Sequence, residues 1–406
     1  MIVNSQRKCP ICGYKLAKIL HSINFVLPDD VRLPRYYDLV ACCNCKFVYA
    51  DTLASQNDYD AYYEYMSKYT EPGISSGGGE TAWDKNRLLR VANDLGRYID
   101  KQASVLDVGC ANGGLLTILY ERGYKNLTGL DKSIFCVNHI KNINGIRAIH
   151  GGLFDLEFKE EAFSNEKFDV VILSHVLEHV LDIQLAFDFL DKKLQQNGLL
   201  YIETPDASNY HEFPNVPFYY LDSEHINHFD LARLTLLLQS RGYNIEVFIQ
   251  KAIEVSENSL YPAISVMGRK SEIAAEVKDE VNQLSEDIII SIIQHIKQST
   301  HLQHFNIIDS LADSQEQLVV FGVGSYTSRL LGSSRLNECN IVAFIDNDTV
   351  KQGTTVMGIH VYSPEYLRKN DCSVLVCSAL HADKMVKQIA DMNIKRNIYF
   401  PILEGI

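Results

Sequence analysis

No uninterrupted apolar run in this chain reaches the roughly 20 residues that a membrane-spanning helix needs. The opening segment, Met1 to Cys9, lacks the apolar core of a secretory leader. These absences make the cytoplasm the expected location and remove a membrane from the expected partners. Positive charge is also short. The 38 Lys and Arg face 51 Asp and Glu, a net charge of -13. No basic stripe offsets repulsion from phosphates, so nucleic acid is not an expected partner. An anionic small molecule needs only a local pocket and stays open. The chain is taken as a monomer acting on a small molecule.

What is present suits a globular protein of more than one domain: 406 residues, 46% apolar and 22% charged. The ten cysteines are unevenly placed. Cys110, Cys136, Cys339, Cys372 and Cys377 stand in apolar surroundings and read as small buried hydrophobes. Cys9-Pro-Ile-Cys12-Gly and Cys42-Cys-Asn-Cys45 read as paired knuckles. Four thiolates at this spacing, Cys9, Cys12, Cys42 and Cys45, can surround one Zn²⁺ tetrahedrally, with Cys43 as the spare. No open coordination position is expected, so such a zinc is structural. The alternative is a set of unrelated redox or buried cysteines.

The central segment alternates strand and helix signals, which implies a mostly parallel sheet covered on both faces. Val105-Leu-Asp-Val-Gly-Cys-Ala-Asn-Gly-Gly114 reads as a buried strand ending in an acid, a glycine turn and a helix start. Leu127-Thr-Gly-Leu-Asp131 is a second strand that ends in an acid. Strand, glycine turn, helix, strand and acid is how a doubly wound sheet holds a nucleoside-like cofactor. The form D-x-G-x-x-x-G, carried by Asp107, Gly109 and Gly113, resembles the S-adenosylmethionine (SAM) site of class I methyltransferases. That resemblance gives Asp131 to the ribose hydroxyls and Asp155 to the adenine amino group. Ser174, at the end of the strand Phe168–Leu173, is placed on the cofactor side, and the following Leu-Glu-His179 recurs in small-molecule methyltransferases of this class. Ala111 stands where a glycine is usual. An unrelated NAD-binding domain is the rival.

Tyr59, Tyr62, Tyr63, Tyr65 and Tyr69 form a tyrosine-rich segment before a glycine-rich break at 72–79. Between the fifth strand and a helix from Leu231 lies a loop with Tyr219, Tyr220, Asp222, Glu224, His225 and His228. In this fold such a loop lies over the methyl acceptor, and histidine is the side chain best poised to take a proton near neutral pH. A helix-capping network or a metal site are the alternatives. Pro262 to Met267 reads as a late edge strand, and Ser271 to about Gln298 as a long amphipathic helix. Gly322-Val-Gly324 with Asp346 outlines a second strand-and-turn unit, with Thr327 where a third glycine would complete a dinucleotide fingerprint. It is read as a structural or substrate-gripping domain or as a second cofactor site.

The combination resembles the zinc-containing SAM-dependent sugar C-methyltransferases that act on nucleotide-linked keto-deoxysugars. The resemblance implies an α/β fold: a class I SAM methyltransferase (Rossmann-like) core, an N-terminal zinc-binding module and a C-terminal Rossmann-like domain. The boundaries follow as 1–75 for the zinc module and tyrosine-rich segment, 76–269 for the methyltransferase domain, 270–310 for a helical linker and 311–406 for the last domain. It implies His225 as catalytic base with Glu224 orienting it, and His179 or Tyr220 holding an enolate. Tyr69 is the nearest match to a tyrosine that reaches the cofactor region. The family pattern close to Tyr-His-Glu-His is here Asp222-Ser-Glu-His225, which bears on the acceptor atom. The expectation is C-methylation of a nucleotide sugar. O-methylation of a sugar or surface-polysaccharide precursor and an NAD-linked or non-catalytic binding protein are the rivals.

Overall fold

The computed structural model describes residues 1–64, 78–79, 81–143, 145–155, 158, 160–214, 216–256, 259–271, 285–303, 305–378 and 380–402. At its centre is a seven-stranded sheet. Five strands run parallel, in the order Leu194–Pro205, Phe168–Ser174, Ser104–Val108, Asn126–Asp131 and Ile146–His150. Their interiors are apolar on both faces, as a parallel sheet covered by helices requires. Ser104–Val108 is flanked by the second strand on one side and the fourth on the other. The chain reverses its direction of winding there, and a crevice opens at the carboxyl ends of the strands.

The late strand is not at the edge. Ser259–Lys270 lies inside the sheet, antiparallel to Leu194–Pro205, and the edge is the long strand Tyr243–Ser256. The physical reason is in the burial. Tyr261 to Gly268 is buried throughout, whereas Tyr243–Ser256 alternates between half-buried and exposed residues. The helix Asp287–Leu302 covers the end of the expected amphipathic stretch, and residues 272–284 of that stretch lie outside the described ones.

The N-terminal segment forms an antiparallel sheet of Ile2–Asn4, Leu16–Asn24, Tyr36–Cys42 and Val48–Asp51. A fifth strand, Asn227–His228, comes from the loop that carries Glu224 and His225, with Asn227 opposite Tyr49 and His228 opposite Val48. Arg7 strengthens the join by donating to the carbonyl of Ile226 and to Asn227 Oδ1.

The C-terminal unit has a six-stranded sheet around Leu318–Phe321, Ile341–Ile345 and Ser373–Val376, with its own apolar cores on both faces. It touches both other parts. The Val26 N–H donates to the Ser328 carbonyl, and Arg329 donates from Nη1 to Leu221 O and from Nη2 to Pro217 O, each at 3.0 Å. The loop from Val216 to Phe229 is thus braced by the N-terminal sheet, by Arg329, and by Ser299, whose Oγ accepts from the Phe218 N–H at 2.8 Å.

Candidate active site

The glycine turn after Ser104–Val108 has the geometry its residues require. Gly109 and Gly113 sit at φ +68° and +76°, and a Cβ on either would come within 2.7 Å of Val176 or Ile140. Ala111 takes φ +47°, a left-handed conformation that costs an L-residue about 1–2 kcal/mol. Asp131 supports the turn. Its two carboxylate oxygens accept the N–H groups of Ala111 and Ser133, each at 2.8 Å, and burial still raises its pKa. Burial, and then the charge of Asp131, push Asp107 up to about 7.

Beside this turn is a cavity of about 130 Å³ lined by Gly109, Asp131, Lys132, His175 and His179. Its roof is the helix Gln56–Glu64, through Gln56, Asp60 and Tyr63. Pockets for cofactors are usually roughly 300–1,000 Å³. The helix Gln56–Glu64 narrows the crevice at this point. Lys132 latches it, 3.0 Å from Asp60 Oδ2 on the roof and 2.6 Å from Asp155 Oδ1 on the floor. Asp155, predicted to meet adenine, accepts from Lys132 and from the Gly152 N–H in this structure.

Under the roof the histidines converge. His175, at φ +55°, follows Phe168–Ser174, and His179 ends the helical turn Leu177–His179. His179 and His225 meet edge to face, with centroids 4.7 Å apart. His179 Nδ1 lies 2.9 Å from the Tyr63 hydroxyl and 3.1 Å from the Glu224 carbonyl. The Glu224 carboxylate accepts from the Tyr62 hydroxyl at 2.9 Å. Asp222 shapes the loop by accepting the N–H groups of Glu224 and His225. Burial works against its charge, yet His225 and those N–H groups hold it at about 2.

A second layer of charge lies beneath. Ser174 is held there, accepting from Arg87 at 2.9 Å. Glu203 is fully buried and contacts Lys251, His175, Arg87 and the Tyr201 hydroxyl. Burial opposes its charge, and Lys251 with His175 outweighs it, so Glu203 sits well below the usual carboxylate range. Burial lowers His175, but Glu178 and Glu203 raise it further than burial lowers it.

The structure places two predicted residues elsewhere. Tyr220 is a core residue: it stacks on Tyr210 at 4.0 Å, and its hydroxyl donates to the Phe213 carbonyl. An aromatic flanked by Tyr210, Tyr261 and His295 stabilises the core more than a hydroxyl in the crevice would. His228 is likewise buried in that cluster, and burial lowers it to about 3. Tyr69 lies outside the described residues. The site residues that sequence reasoning missed are Asp60, Tyr62, Tyr63, Lys132 and Glu178. Only the tyrosine-rich composition and the Leu-Glu-His turn hinted at them.

Cys9, Cys12, Cys42 and Cys45 come together, with Sγ–Sγ distances of 3.5 Å for Cys9–Cys45 and Cys12–Cys42. Tetrahedral Zn–S bonds of about 2.3 Å put sulfurs about 3.8 Å apart, so the set fits zinc. Glu178, His179 and His225 also cluster, but Glu178 Oε1 is 4.0 Å from His179 Nε2. Zinc bound by nitrogen and oxygen needs about 3.4 Å, so this group lacks the spacing of a closed zinc site.

A family model described as a methyltransferase domain matches residues 81–246. Residues 81–246 form a class I SAM-dependent methyltransferase domain. A second family model, described as C2185-like, N-terminal, matches residues 314–398. The chain is similar to the eEF1A lysine and N-terminal methyltransferase of Mus musculus, 30% identical over 123 residues. That match covers 30% of this chain and 18% of the relative. It is also similar to the ubiquinone biosynthesis O-methyltransferase of Histophilus somni (strain 2336), 30% identical over 138 residues, 30% of this chain and 57% of the relative. Among solved structures, it is similar to the 1,6-didemethyltoxoflavin-N1-methyltransferase of Burkholderia thailandensis, with a TM-score of 0.40 and 15% identity, covering 61% of this chain and 100% of that one. No helix among the described residues is long and apolar enough to cross a membrane.

Proposed function

We propose that the chain is a SAM-dependent methyltransferase that methylates carbon on a nucleotide-linked keto-deoxysugar. The observation that carries this reading is the meeting of His179 and His225 at 4.7 Å beside the cavity lined by Gly109 and Asp131. Gly109, Gly113 and Asp131 would hold SAM, which would supply the methyl group. The protein's own residues prepare the acceptor. His225 removes the proton from the carbon beside the ketone, and the electron pair of that C–H bond becomes the enolate. His179, fixed by Tyr63 through Nδ1, holds the enolate oxygen. The roof helix excludes water while Tyr62 and Tyr63 bind the loop and the histidine together. Zinc held by Cys9, Cys12, Cys42 and Cys45 would be structural. It would stabilise a sheet too small to fold on apolar burial alone and, through Asn227–His228, support the acceptor loop.

The test is incubation of the full chain with SAM and a panel of nucleotide-linked keto sugars, followed by mass spectrometry. A product heavier by one methyl on a sugar carbon supports the reading, as does deuterium uptake at that carbon in heavy water with S-adenosylhomocysteine (SAH). Methylation of a hydroxyl without carbon exchange would overturn the carbon chemistry. Methylation of only a non-sugar acceptor would overturn the substrate class.

A further inference from the structure

Among the buried polar atoms at the acceptor site that lack a hydrogen-bond partner, two are complementary. Glu178 is 1% exposed. One of its oxygens, Oε1, is 3.1 Å from His175 Nδ1; the other, Oε2, has no hydrogen-bond partner. His225 Nδ1 is also buried and also lacks one. A carboxylate oxygen of Glu178 and ring nitrogens of His179 and His225 lie within 4.8 Å of one another. An unsatisfied buried group of this kind costs about 1–3 kcal/mol, so a small closing movement that joins the two is favoured. Glu224, the acid next to His225 in sequence, directs its carboxylate to the Tyr62 hydroxyl of the roof helix.

We propose that Glu178, rather than Glu224, is the positioning residue of the histidine base. Its Oε2 accepts a hydrogen bond from His225 Nδ1–H when the site closes. This deepens the function proposed above and rests on it for the role of His225. A carboxylate on Nδ1 fixes the tautomer that leaves Nε2 as the proton acceptor, and it faces the charge that appears on the ring once Nε2 has taken the acceptor's proton. The groups that face Glu178 are His175 and His179 on its own turn, His225 and His228 on the acceptor loop, Tyr210 before that loop, and Tyr261 on the strand Ser259–Lys270. Burial opposes the charge of Glu178, but His175 and then His179 and His225 hold it below the usual carboxylate range. The acid is therefore ionised before the base works.

The experiment uses the full chain labelled with ¹⁵N-histidine and saturated with SAH. Histidine ring signals are read by long-range proton–nitrogen correlation, with His225 assigned through His225→Gln. The neutral His225 ring is expected to carry its proton on Nδ1. Glu178→Gln should move the tautomer ratio about tenfold or more toward Nε2–H, with SAH affinity within twofold of the parent. Glu178→Asp should restore part of the ratio, and Glu224→Gln should leave it in place. An unchanged ratio in Glu178→Gln, or a shift of that size in Glu224→Gln, overturns the assignment. Should Glu178→Gln fail to fold, the parent protein still decides: an Nε2–H tautomer there is incompatible with a carboxylate on Nδ1. These readouts need no acceptor, so failure of the sugar panel would count against the substrate and not against Glu178.

Discussion

Arg329 lies in the C-terminal unit, on the helix Ser325–Ser333, yet it holds two carbonyls of the loop that carries His225. Its guanidinium is buried, and burial lowers its pKa. Arg329→Ala removes the donors to Pro217 O and Leu221 O. A buried carbonyl left without a partner costs about 1–3 kcal/mol, so losing two puts about 2–6 kcal/mol on the ordered loop. The loop keeps its pairing to the N-terminal sheet and its bond to Ser299, so we take the lower end, about 2 kcal/mol. This converts to an opening equilibrium about thirtyfold larger. Amide exchange followed by mass spectrometry reads it directly: residues 216–229 should exchange about thirtyfold faster. The Gly109–Gly113 turn does not touch Arg329, so SAH affinity by calorimetry should stay within twofold. Arg329→Lys keeps the charge but loses the two-pronged reach, and should fall between the parent and the alanine variant. If exchange in 216–229 is unchanged in Arg329→Ala, or if SAH binding falls as far as the loop loosens, the C-terminal unit does not act as a brace for the acceptor loop.

Three further outcomes follow from the same geometry. Asp107 sits at about 7 in the fold against about 3.9 unfolded, so the stability its neutral form allows is whole below about pH 4, falls as pH rises toward 7 and is lost above it. Ionising this buried carboxyl costs about 4 kcal/mol. Asp107→Asn should therefore raise the thermal midpoint of the cofactor-free protein most at pH 8, less at pH 5 and not at pH 3; a midpoint lower at pH 8 would contradict the sign. Asp60→Asn removes the roof half of the Lys132 latch, a partly exposed contact worth about 1 kcal/mol or less, and should speed both SAH association and dissociation up to about fivefold in stopped flow. Slower association would show that the latch guides the ligand in. Cys12→Ser should lower bound zinc, measured by plasma mass spectrometry, from about one per chain to near zero, with faster exchange in residues 1–51 and 226–229. Full zinc content in that variant would remove Cys12 from the ligand set.

The central sheet was legible because parallel strands covered on both faces appear as short apolar runs, such as Val105–Val108 and Phe168–Leu173. The glycine turn was legible because positive φ at Gly109 and Gly113 restricts those positions to few residues. The edge strand Tyr243–Ser256 was not, since one face meets solvent and its alternation is broken by irregular pairing at Ile245 and Glu254. Tyr62 and Tyr63 could be counted but not aimed, because where each points depends on how their helix lies over the crevice. Glu178 read as part of a class signature, whereas its burial comes from the strand and loop packed over it. Arg329 had no local sign at all: its partners stand 108 and 112 residues away in sequence.

The pairing of Asn227–His228 with Val48–Asp51 also dictates an order of events during synthesis. The first four strands emerge early, but Val48–Asp51 has no neighbour on its outer side until His228 has left the ribosome. At about 5–20 residues per second, that is a wait of roughly 10–40 s. Through that interval the nascent chain presents a bare strand edge, the kind of surface that recruits other chains. A metal clip of Cys9, Cys12, Cys42 and Cys45 can close before the fifth strand arrives, because all four thiols are already made. A zinc held by those thiols would then support the first four strands before the fifth is made.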